Sequence, residues 1–161
     1  MLLDAPTFVV HRRLNQPLTL IHRGLSDRTM LASTRLIELG SEGFMHIDEA
    51  LRPAAAFTSY RSAPAWCGRA HLLNARRRTV AAVELEVSMW SHDATSISLR
   101  PVARHPERWR RWRLRAYFAL AHRASDATAA LLADRANLAS EARPGAETAP
   151  DQVAIPVTAH C

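Results

Sequence analysis

The sequence predicts an α+β domain: an antiparallel sheet packed against one long helix near the carboxyl end. Two observations carry this. Residues 79–102 hold two runs of alternating apolar and polar side chains, separated by a short polar turn. The stretch that follows, up to Ala136, keeps a helical apolar period with no glycine or proline after Pro106. Alternation puts one strand face in water and one in a core, the usual pattern of antiparallel sheets.

Taken in chain order, Thr7 to Leu14 reads as a first strand, ended by Asn15-Gln16-Pro17. Residues 18–33 are ambiguous, with Ser26 placed to cap a short helix through Met30 and Leu31. Thr34 to Leu39 and Phe44 to Glu49 flank Gly40-Ser41-Glu42-Gly43, which favours a hairpin. A competing reading makes residues 27–39 one helix with Gly40 just past its end. Arg52-Pro53 breaks the chain, Ala56 to Arg61 reads as a further strand, and Cys67 to Asn74 as the next.

The strongest strand is Thr79 to Trp90. Ala81, Val83, Leu85, Val87 and Met89 share one face, and Glu84, Glu86 and Ser88 the other. Ser91 to Ala94 suits a hairpin, and Thr95 to about Val102 is the return strand, with Ile97 and Leu99 on its dry face. Arg100 then falls beside Glu84 or Glu86 on the wet face. The helix is expected to start near His105-Pro106-Glu107. Leu114, Tyr117, Phe118, Leu120, Ala121, Ala124, Leu131 and Leu132 share a wide face, with Arg111, Arg115, His122 and Asp126 opposite. His122 and Asp126 form an ordinary (i, i+4) pair. Each large apolar side chain buried there contributes about 1.5–3 kcal/mol before entropy is counted.

The strand TVAAVELEVSMW, the strand TSISLRPVAR and the helix WRRWRLRAYFALAHRASDATAALLADR resemble the end of a START-like (SRPBCC, helix-grip) domain. The resemblance covers residues 79–135, a third of the chain, and is one of topology rather than of a sharp motif. It implies a curved antiparallel β-sheet wrapped around a long C-terminal α-helix, with a mostly apolar cavity between them. The family includes lipid carriers, hormone receptors and polyketide cyclases. Its members usually carry two helices after the first strand, and residues 18–33 are short for two.

Length and composition bound the rest. A chain of 161 residues suits one domain, read as residues 1–136, with the Ala-, Glu- and Pro-rich residues 137–161 as a tail. All 21 basic residues are arginine, and the net charge is +6. Alanine abundance and the lack of lysine point to a compositional bias, which weakens charge as a functional sign. Cys67 and Cys161 form no C-x-x-C, so neither a disulfide framework nor a zinc site is suggested. No signal sequence or membrane-length apolar run stands out, and a reducing cytoplasmic setting is expected.

Two candidate sites emerge. The first is the space between sheet and helix, walled by Val83, Leu85, Val87, Ile97, Leu99, Leu114, Tyr117, Phe118 and Ala121, with Tyr117 as a polar handle. The same periodicity describes a solid core, and the Tyr117 hydroxyl equally suits a backbone partner. The second is the RWRRWRLR segment. There Arg110, Arg111, Arg113 and Arg115, with Arg108, Trp109 and Trp112, suit an anion, an anionic membrane or a single-stranded nucleic acid. A solvated arginine surface is the plainer reading, as it is for Arg76-Arg77-Arg78. His46 and Asp48 share a strand face, but with no third ligand or nucleophile placed beside them they indicate no site. Cys67 reads as a buried, inert thiol, while His71 and His92 read as isolated.

The expected function is non-covalent binding of a small apolar molecule, a lipid or polyketide-like compound, with no cofactor, no metal and no catalysis evident. A cyclase- or dehydratase-type enzyme of the same superfamily is one alternative. Binding of nucleic acid or an anionic membrane through the arginines is the other. The sequence leaves oligomeric state open.

Overall fold

The computed structural model describes residues 8–18, 21, 36–53 and 65–141. Six strands form one antiparallel sheet: β1 (Val10–Leu14), β2 (Leu36–Glu38), β3 (Gly43–Pro53), β4 (Ala65–Asn74), β5 (Thr79–Ser91) and β6 (Ala94–Pro101). Their spatial order is β1-β6-β5-β4-β3-β2. The chain thus runs as a meander from β2 to β6, and β1 closes the far edge beside β6. One helix, α1 (Arg111–Glu141), follows. The result is an α+β fold, a half-barrel sheet curved around a carboxyl-terminal helix.

The curvature has a visible cause. The β3–β4 register shifts between Ile47 and Glu49 and again between Glu49 and Arg52. The β4–β5 register shifts between Leu72 and Leu73. Each unpaired residue bends its strand and increases the local twist. The inner face is apolar across four strands, with Met45, Ile47, Leu72, Val83, Val87, Ile97 and Leu99 fully buried. Val87 lies opposite Ile97, and Leu85 opposite Leu99. Helix α1 lays Tyr117, Leu120, Ala121, Ala124, Leu132 and Ala136 on this face, all buried. Arg113 Nε donates to the Val80 carbonyl at 2.8 Å, tying the first helical turn to the start of β5.

The Gly40–Gly43 hairpin forms, with Leu36 to Glu38 paired to Phe44 to His46, so the helical alternative is overturned for residues 36–38. The proposed strand at Ala56 to Arg61 and most of residues 18–33 lie outside the described residues. β3 continues through Arg52-Pro53 instead of breaking there, helped by its two register shifts. Pro106 to Arg108 form a 3₁₀ turn, and Trp109 is extended, so α1 begins at Arg111 rather than at Pro106. The helix also runs past Ala136 to Glu141, into the stretch read as a tail. Leu138, Ala139 and Glu141 are good helix formers, no glycine or proline interrupts residues 137–141, and the first breaker is Pro144. Met89, expected on the dry face, is exposed near the β5–β6 turn. Asp126 pairs with Arg12 of β1 at 2.6 Å, an ion pair between helix and sheet edge. No described helix is long and apolar enough to cross a membrane.

Candidate functional site

The inner face gathers the residues expected to line a ligand site. Val83, Leu85, Val87, Ile97, Leu99, Tyr117 and Ala121 are each exposed by 2% or less, and Leu114 and Phe118 are half-buried. Tyr117 sits in an aromatic group, edge-on to both Trp109 and Phe118, while Phe8 stacks on Phe118. Its hydroxyl donates to the Phe8 carbonyl, so the expected polar handle is engaged by the backbone. The other buried hydroxyls are engaged likewise: Thr95 donates to Gln16, Ser125 to His122 and Thr128 to Ala124, each to a carbonyl. Among the described residues, this face offers a ligand apolar contact and little else.

The outer face is polar and carries relationships that the sequence does not reveal. Strand register sets Arg100, Glu84, Arg69 and Glu49 in one row across β6, β5, β4 and β3. The signs alternate, and Arg69 approaches Glu84 at 3.6 Å. The expected proximity of Arg100 to Glu84 follows from this register. A shallow groove of about 320 Å³ runs along the row, bordered also by Cys67, Glu86 and Ser98. Cys67 is exposed, not buried. Partial desolvation first, then the charges of Glu86 and Glu84, push its thiol pKa up against the opposing Arg100. Such a thiol is a poor nucleophile at neutral pH.

One row away, His46 and His71 are cross-strand partners. His46 Nδ1 lies 2.9 Å from one oxygen of Asp48, and His71 Nδ1 contacts the other. His71, read as isolated, therefore belongs with the His46–Asp48 pair. Only the register of β3 against β4 reveals this, and no local signal in either strand encodes it. Among the described residues, no group of three or more His, Cys, Asp or Glu side chains is arranged to hold a metal ion.

The arginine segment divides. Arg108, Arg110, Arg111 and Arg115 are exposed. Arg113 is not free for an anion: besides its bond to Val80, its guanidinium lies over the Trp109 ring at 4.2 Å. Trp109 is half-buried against Tyr117, whereas Trp112 is 63% exposed. Arg76 to Arg78 form the β4–β5 turn, where Asn74 Oδ1 accepts from the backbone N–H groups of Arg76 and Arg78. Arg77 takes the left-handed conformation and stacks on Phe44 at 4.9 Å.

No family model, curated protein or solved structure matches this chain.

Proposed function

We propose that this protein is a START-like, helix-grip domain that binds a small apolar molecule non-covalently between the sheet and α1. One observation carries the reading. The half-barrel's inner face is apolar from Met45 on β3 to Leu99 on β6, and among the described residues its buried hydroxyls are engaged by backbone carbonyls. Such a wall recognises apolar surface and shape rather than a charge or a hydrogen-bonding pattern. No titratable group other than Tyr117 is buried among the described residues of this face, which favours binding over a cyclase-type reaction.

Since the wall residues are closed to solvent, a ligand enters by moving α1 from the sheet. Ala121, Ala124 and Ala129 are small, but Tyr117, Leu120 and Leu132 are buried on the same face, so the ligand must replace their apolar contacts. Native mass spectrometry of the chain purified from its own host provides the test, followed by thermal melts with fatty acids, sterols and polyketide-like compounds. A bound apolar mass that rises in yield with a melting-temperature gain supports the reading, since a ligand of the folded state stabilises by mass action. Protein free of such a mass, with melts unmoved by every compound, overturns it.

A further inference from the structure

We propose that the arginine-rich end of the molecule docks on a bilayer containing anionic phospholipids, with Trp112 entering the headgroup region. Two segments far apart in sequence meet at this end. The bond from Arg113 to Val80 holds the first turn of α1 beside the β4–β5 turn. The bond from the Val102 N–H to the Ala82 carbonyl, at 2.9 Å, holds the segment before the helix against the same strand. The exposed guanidinium groups of Arg76, Arg78, Arg108, Arg110, Arg111 and Arg115 therefore share one end. Between residues 102 and 115 the only acidic residue is Glu107, and its carboxylate contacts His105 at 3.0 Å.

Stability does not account for this placement. The first turn of α1 has no acidic residue, and cations at a helix amino terminus oppose the macrodipole. Nor does packing account for Trp112, which is 63% exposed, with Val102, another apolar side chain at this end, 42% exposed. An exposed tryptophan beside arginines matches the bilayer interface, where the ring sits among headgroups and the cations meet phosphate. Arg113 supports this without touching lipid, because it pins Trp109 inward and leaves Trp112 as the outermost ring. A single presented ring is a poor platform for successive bases, which argues for a membrane over single-stranded nucleic acid. This inference is independent of the apolar-ligand reading.

Vesicle co-sedimentation of the full chain tests it, using phosphatidylcholine with and without phosphatidylserine, at low and high salt. Binding is expected only with phosphatidylserine, falling as salt rises. Arg111→Ala and Arg115→Ala each weaken it about fivefold, as expected for a cation near an anionic leaflet. Trp112→Ala weakens it further, and the emission blue-shift on binding disappears in Trp112→Phe. All three positions are exposed, so circular dichroism should report an unchanged fold. Wild-type protein that stays in the supernatant with phosphatidylserine at low salt overturns the proposal. So does binding untouched by the three alanine changes together, or single-stranded RNA displacing the protein from vesicles at equal phosphate concentration.

Discussion

Tyr117 of α1 donates its hydroxyl to the Phe8 carbonyl at 2.5 Å, joining the helix to the segment just before β1. The ring is fully buried, and desolvation raises the phenol's pKa well above its ordinary value of 10.0. Folding thus favours the neutral phenol. A group with a raised folded pKa contributes fully below its unfolded value and loses that contribution as pH climbs above it. Stability should therefore hold to about pH 10 and then fall. Tyr117→Phe should flatten that alkaline loss and, at neutral pH, cost about 1–2 kcal/mol for the abandoned carbonyl. Urea melts of both proteins at neutral and alkaline pH check both effects. Parallel alkaline losses in the two would assign the loss elsewhere.

Gly43 sits at the start of β3 with φ of 155°, a conformation that side chains rarely adopt. A Cβ there would collide with the Leu73 carbonyl oxygen on β4 and press on the Asn74 backbone. Neither is a flexible side-chain end, so the strands must part. Gly43→Ala should cost at least about 2 kcal/mol. Gly40→Ala, where φ is also positive at 64° but the close neighbour is the end of the long Arg123 side chain, should cost less. Thermal melts of the two variants should rank them in that order; the reverse ranking would contradict the β3–β4 contact.

Cys67 faces solvent, yet Glu86 and Glu84 add to desolvation in holding its thiol protonated. In a Cys161→Ser background, its reaction with a maleimide or a disulfide reagent at neutral pH should be slower than that of a free thiol. Neutralising Glu86 with Gln should speed it. A reaction as fast as glutathione's, unchanged by Glu86→Gln, would refute this electrostatic picture.

The sequence made legible what is local. Alternation located β5 and β6, the glycine pair located the β2–β3 hairpin, and the helical period picked Tyr117, Leu120, Ala121, Ala124 and Leu132 as a buried face. What escaped depends on pairing between distant segments. β1 lies beside β6 although more than eighty residues separate them, as with Val10 and Leu99. His71 against Asp48 and Arg12 against Asp126 likewise depend on which strands and helix become neighbours. The role of Arg113 escaped for a related reason. In RWRRWRLR every arginine looks alike until the strand beneath supplies Val80. The late end of α1 was local but masked, because alanine-rich polar sequence resembles a tail until its lack of breakers is weighed.

The row of Arg100, Glu84, Arg69 and Glu49 sums to zero formal charge. The broad back of the sheet thus nearly cancels its own field along that row, while the arginines beside Trp112 do not. A local excess of one charge beside a neutral row gives the surface a directional field. If the proposed docking holds, that asymmetry would let a negatively charged boundary select which end of the molecule arrives first.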